Sequence, residues 1–495
     1  MPQQYLLEGP TLPPIEIFRF LVPISLQCLF LHPVFPSSFS RPARFLLMPL
    51  SLVLSFVTPY KYAIEPRNQA IGVNFVIGIM GAYGVMKCVE WGFARDLLPY
   101  TWVGFDEQDK NRTDKAQPSA APAQKARVSV DLNGHEDGRE DPKEEMRRRQ
   151  REQRREYLEA LRRRQAETEG PIQIIRSTFH LLVAMRGQGY EFCGTSTEPF
   201  ALDHIAFFRR ILLEIAWSHP LLVLCAAILL EPPTSRDALL ASFLPSLSPS
   251  HAHLLGESIT GLSMGTAVFA ALTLGYSCAT LLAFLVTKAL RALPIPDALL
   301  PPPFDPREYP PLFNFAERPQ SVAVFWSKQW HSFFSRPFRF LAFDPTQRLF
   351  TPVAGRNVGR TVGVLTVFAL SSWIHEFGLA TSTSTLPPLD LSLLTRWGGS
   401  VYFMSQGLAI VCEGAFTALT RRKTGGWVGT IWSSFFIVYC GLYLYRSWMT
   451  QGLVREVPPV WYWSWQRVVV PLGCLQPPPI WMNSWPETYA FERAV

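Results

Sequence analysis

Charge is scarce in this chain of 495 residues. Only 17% are Asp, Glu, Lys or Arg, and these are clustered rather than spread. A soluble protein with buried helices would need charged faces opposite its apolar ones, and the long apolar runs here lack them. Cysteine is sparse and unpatterned. Cys28, Cys88, Cys193, Cys225, Cys278, Cys412, Cys440 and Cys474 form no C-x-x-C pair and no metal-ligand spacing, so neither a disulfide framework nor a zinc site is indicated. Most lie in or beside apolar runs and read as small core residues. No basic n-region precedes Phe18–Phe35, where Glu8 and Glu16 stand instead, and no clear small-residue cleavage site follows. The first apolar segment is therefore expected to be a retained anchor. No internal repeat is evident, which leaves an inverted-repeat transporter layout without support.

What the chain has in abundance is apolar and aromatic surface, at 48% and 13% of residues. Apolar runs of about 17 to 25 residues recur, each long enough to cross a bilayer as a helix. The expected fold is all-α: a polytopic integral membrane protein of about eight spans. They fall near 17–35, 44–60, 70–92, 205–230, 262–288, 361–380, 398–419 and 427–446. The first two are punctuated by proline, and His219-Pro220 predicts a kink or an early boundary in the fourth. Val460–Cys474, VWYWSWQRVVVPLGC, is either an interfacial stretch or a ninth span.

The net charge of +7 belongs in cytoplasmic loops and calls for no nucleic-acid partner. Arg209 and Arg210 begin the fourth span, and Lys288 and Arg291 end the fifth. Arg356 and Arg360 precede the sixth, and Arg421, Arg422 and Lys423 follow the seventh. The loops near 231–260 and 381–396 carry only Arg236 and Arg396. This alternation puts the 289–360 loop and the 104–170 insert in the cytosol, with both termini lumenal. The organisation follows: membrane spans in 1–103, a charged insert in 104–170, a membrane-embedded core in 171–450 and an aromatic tail in 451–495. The insert is expected to be disordered through about Gly138. Lys143–Glu169, rich in Arg and Glu, is expected to form a solvated helix. It reads mainly as a spacer between two membrane halves, or else as a surface for anionic lipid. The sequon Asn111-Arg112-Thr113 lies in this insert and, on the cytosolic side, should carry no glycan.

Two histidines stand out. His375 lies in the middle of an apolar, membrane-length segment, TVGVLTVFALSSWIHEFGLA, where an ionisable group is costly and marks a functional site by default. Histidine is also the side chain best suited to take a proton from an alcohol near neutral pH. On a helix its face is shared by Ser371, Ser372, Gly378 and Leu379, three of them small, which leaves room for a substrate or for close helix packing. Glu376 points about 100° away and would orient a neighbour. The plainer alternative is a histidine that only hydrogen-bonds an adjacent helix. His331 lies in Pro310–Pro337, where Phe325, Trp326, Trp330, Phe333 and Phe334 interleave with Lys328, His331 and Arg336. That pattern reads as an amphipathic element at the membrane face. Arg336, Arg339, Arg348, Arg356 and Arg360 extend it into a positive patch that would attract phosphates or lipid headgroups.

These stretches resemble the wax synthase-like branch of the membrane-bound O-acyltransferases, particularly its fungal members. Phe325–His331, FWSKQWH, is similar to that branch's F-W-x-x-x-W-H signature. Ser371–Gly378, SSWIHEFG, is similar to the segment bearing the family's catalytic histidine, which falls on His375. Pro310–Phe313, PPLF, and Met185–Phe192, MRGQGYEF, resemble two further stretches of the fungal members. The long charged insert is a departure from the pattern.

The resemblance implies transfer of an acyl group from acyl-coenzyme A, a cosubstrate rather than a bound cofactor, to an alcohol. His375 would be the general base. His331 would donate to the carbonyl oxygen or hold the acyl group. Attack would be direct, leaving Ser371 and Ser372 as hydrogen-bonding groups. Lys328, Arg336 and Arg339, with Trp326 and Trp330, are the candidates for holding the coenzyme. Long-chain alcohols would suit a lipid-facing entrance. Fungal members often acetylate terpenoids or other secondary metabolites, which favours acetyl-coenzyme A, and the resemblance points to the endoplasmic reticulum. A transporter using His375 as a proton relay and a non-catalytic scaffold are the competing classes.

Overall fold

A computed structural model describes residues 14–63, 71–105, 142–193, 203–315, 317–383, 392–453 and 464–475. The expected disorder up to Gly138, the sequon and residues 460–463 lie almost wholly or entirely outside them. The described residues form an all-helical bundle in which a β-bridge joins Trp102 to Tyr190. The long helices are α1 (Pro14–Leu29), α2 (Ser37–Lys61), α3 (Ile71–Phe93), α4 (Pro142–Thr168), α5 (Pro171–Val183), α6 (His204–Leu230), α7 (Pro233–Phe243) and α8 (Pro249–Arg291). After a long irregular stretch come α9 (Asp344–Thr383), α10 (Gly398–Thr420) and a final segment, Gly426–Thr450, here α11.

Among the described residues seven helical segments are long and apolar enough to cross a membrane, against about eight expected. The difference falls at the first: among the described residues α1 covers 16, fewer than a span needs. α6 runs on through Pro220, so the expected boundary is not there. Trp465–Val469 is a five-residue helix rather than part of a ninth span. Leucines such as Leu213, Leu224, Leu282 and Leu419 stay exposed on the long helices. Those faces suit hydrocarbon as their solvent.

The sixth span differs most from a simple rod. Ser335–Ser382 is helical for 48 residues, but Gly355 breaks it with φ of 86°. The Thr346 hydroxyl lies 3.4 Å from that of Thr366. Residues 20 apart on a straight helix would be about 30 Å apart, so the chain folds back at Gly355 into a helical hairpin. Its second arm carries His375.

That arm packs on α3 through glycine. A Cβ built on Gly78 would sit 2.2 Å from Thr381 Oγ1 and 2.8 Å from the Gly378 backbone. Small residues let two helices approach in lipid, where burial of apolar surface gives little drive for association. Gly378 is thus used for helix packing. Gly78→Ala is expected to destabilise the protein by about 1–3 kcal/mol, read as a lowered unfolding temperature in detergent. Gly265→Ala, where a Cβ has open space, is the control and should not lower it.

The insert helix α4 is docked on one side. Arg162 donates to the carbonyls of Leu97 at 3.0 Å and Leu31 at 2.9 Å, and Gln165 donates to Trp102 O at 3.1 Å. Arg154 pairs with Glu191 at 2.6 Å, Glu169 with His32 at 3.1 Å, and Leu158 is buried. Burial lowers the Arg162 guanidinium to about 10. The outer face is the expected solvated one, laced by pairs such as Arg149–Glu145 and Arg155–Glu159. Arg176 of α5 reaches Leu300 O at 2.6 Å. α5 and the 289–334 stretch therefore meet.

Candidate active site

The FWSKQWH segment begins with a capped turn. Ser321 Oγ accepts from Val324 N at 3.0 Å, and the Glu413 carboxylate of α10 accepts from the N–H groups of Val322 at 2.7 Å and Ala323 at 3.1 Å. Those are the orphan donors that any helix start must satisfy. The chain then widens into a π-turn over Phe325–Gln329, closed by Trp330 N donating to Phe325 O at 2.9 Å. Such turns are frequent at functional sites. Instead of lying on the surface, the segment is packed into the bundle. Phe325 and Gln329 are buried, and only Ser327 and Lys328 are exposed among residues 325–331.

Trp326 packs against Phe368, Tyr402 and Phe403, and its indole N–H donates to Gln406 Oε1 at 3.2 Å. Trp330 lies against Phe313, Phe325 and Trp326. His331 follows, flanked by Phe333 at 5.1 Å and Trp330 at 5.5 Å between ring centroids. Its Nδ1 has no hydrogen-bond partner. Burial, with His375 and Arg186 nearby, pushes the His331 imidazole down to about 3, so it is neutral at physiological pH. His375, 44 residues away in sequence, is thus one of the groups that disfavour charge on His331.

His375 is fixed by its own helix. Its Nδ1 is 2.7 Å from Ser371 O, one turn back. A carbonyl can only accept, so Nδ1 carries the hydrogen and Nε2 keeps its lone pair. The ring stacks on Phe403 at 4.2 Å. Both histidines are partly buried, and their rings sit among aromatic neighbours.

One face of α10 holds this arrangement in register. Ser400 donates from N (2.8 Å) and Oγ (3.1 Å) to Glu376 Oε1, and Ser372 Oγ donates to Ser400 Oγ at 2.7 Å. Phe403 meets His375, Gln406 meets Trp326, and Glu413 caps the FWSKQWH turn. At 100° per residue these four positions fall within one side of the helix. Gln406 Nε2 also donates to Phe436 O at 2.7 Å, tying in α11.

Residues 309–393 match the membrane bound O-acyl transferase family. The match includes both histidines and the helical hairpin, and supports a membrane-bound O-acyltransferase. No curated protein and no solved structure matches the chain.

The remaining sequence candidates are spread out. Lys328 is exposed, and Arg339 is exposed beside Asp344 at 3.4 Å. Arg336 is engaged: its Nε is 3.0 Å from Glu90 Oε1, a carboxylate that also receives Tyr100 OH at 2.7 Å and Lys87 Nζ at 3.0 Å. Sequence reasoning gave no role to Arg186, Phe403, Gln406, Glu413 or Glu90. Arg186 and Glu90 were at least visible as charges in or beside apolar stretches.

Proposed function

We propose that this protein is an acyl-coenzyme A-dependent O-acyltransferase of the wax synthase-like branch, acting in the endoplasmic reticulum membrane. It transfers an acyl group, by preference acetyl, to the hydroxyl of a lipophilic acceptor such as a terpenoid, another secondary metabolite or a long-chain alcohol. The observation that carries the reading is the His375 Nδ1 bond to Ser371 O, which leaves Nε2 as a free base on a fixed ring. Nε2 takes the hydroxyl proton as the oxygen attacks the thioester carbonyl. Collapse of the intermediate breaks the C–S bond, and the imidazolium returns its proton to the departing thiolate.

His331, neutral and with an unpartnered ring nitrogen, is the group offered to the developing oxyanion. Lys328 and Arg339 are the exposed cations for the coenzyme's phosphates. Arg336, Trp326 and Trp330 support the site by packing and pairing. Ser371 and Ser372 form no acyl-enzyme: the first supplies the carbonyl that orients His375, and the second bonds Ser400.

The test is ester formation by microsomes of a host lacking related activity, given labelled acetyl- or palmitoyl-coenzyme A and a panel of sterols, terpenoids and fatty alcohols. Ester made by the wild type and absent with His375→Ala is expected. Equal ester from both proteins would remove His375 from the chemistry.

A further inference from the structure

The loop Met185–Phe192 is built to hold one side chain still. Gly187 and Gly189 have φ of +70° and +78°, which L side chains rarely adopt. A Cβ at Gly187 would meet the Phe192 ring at 2.2 Å, and one at Gly189 would meet Trp102 at 2.2 Å. Backbone bonds stitch the loop to the segment before it: Val103 N to Gly189 O at 2.8 Å, Glu191 N to Thr101 O at 3.1 Å, and Phe192 N to Pro99 O at 3.0 Å.

The side chain presented by this rigid loop is Arg186. Its NH1 donates to Pro310 O at 3.0 Å and Pro311 O at 3.1 Å, and its Nε to Ser332 Oγ at 3.3 Å. Tyr276 of α8 donates to the same Pro310 carbonyl at 3.0 Å. Arg186 thus joins the stretch before the FWSKQWH turn to the residue directly after His331. The planar fork of a guanidinium can hold two such stretches in one geometry, which a point charge does less well.

We infer that Arg186 is a positioning residue, clamping Pro310–Pro311 to Ser332 so that the adjacent His331 imidazole is held in place. Giving His331 a task rests on the O-acyltransferase reading; the clamp itself does not. Arg186 also lies close enough to disfavour charge on His331, which suits a neutral hydrogen-bond donor.

Hydrogen exchange of the full-length protein in nanodiscs tests the clamp without any assay of activity. In Arg186→Gln, amides in peptides covering 310–315 and 330–334 are expected to exchange about tenfold faster or more, since bonds to a charged donor are lost. Peptides from α8 should be unchanged. Ser332→Ala, a milder variant should Arg186→Gln fold poorly, should loosen only 330–334. Wild-type exchange in both variants overturns the clamp.

With an active wild type, Arg186→Gln should lower kcat tenfold or more with KM for the acceptor within about twofold, and Arg186→Lys should restore part of kcat. An unchanged kcat overturns the positioning role. A wild type that makes no ester counts against the O-acyltransferase reading, while exchange still decides the clamp.

Discussion

His375→Gln is expected to lower the rate of ester formation by about 10²–10⁴-fold while the protein stays folded. Glutamine is close in volume, its amide N–H can still donate to the Ser371 carbonyl, and it still fills space against Phe403. What it lacks is a nitrogen lone pair able to take a proton at neutral pH. A change confined to kcat, with KM nearly constant, is the mark of an interaction made in the transition state. His331→Gln retains a donor and should lose less than His331→Ala, which leaves the oxyanion without that partner. Single-turnover transfer by purified protein separates the variants. A His375→Gln rate within tenfold of wild type would contradict the role of base.

The fold class was legible because a bilayer demands long apolar runs, and four of the expected spans have helices that agree closely at both ends, such as 70–92 against Ile71–Phe93. The two histidines were legible because each is a polar anomaly in apolar or aromatic surroundings. The hairpin at Gly355 was not, since one glycine in a helical pattern carries no sign of its φ. Nor was the docked face of α4, where the arginines that contact carbonyls look like those that face solvent. The α10 column was hidden for a different reason. Ser400, Phe403, Gln406 and Glu413 each answer to a partner in another segment: Glu376, His375, Trp326 and the turn at Val322. Only the folded chain brings those partners together, and sequence spacing within α10 does not name them. Arg336 shows the same limit, because its pairing with Glu90 spans 246 positions.

That pairing carries the second large effect. Glu90→Ala should destabilise the protein by about 3–5 kcal/mol, because it leaves two cations without their acid in a poorly solvated place. The Glu90 side chain is fully buried, and those of Lys87 and Arg336 are 4% and 18% exposed. Lys87 is further enclosed by the rings of Tyr83, Trp91 and Phe192, which stabilise the ammonium but cannot replace a carboxylate. The loss should appear as a lower unfolding midpoint in detergent. Removing all the charges together, in Lys87→Met, Glu90→Leu, Arg336→Met, should recover most of the stability, since the cost lies in the unpaired ions rather than in the absent bond. The two variants should part company in catalysis. Arg336 follows His331 by five residues, at the start of the hairpin, so its bond to Glu90 anchors the far side of the loop that Arg186 holds from the near side. The triple variant restores stability without restoring that anchor, and should fold well while transferring acyl groups more slowly than wild type. Full activity in it would mean that the ion pairs serve folding alone and that His331 is held by Arg186 and its aromatic neighbours.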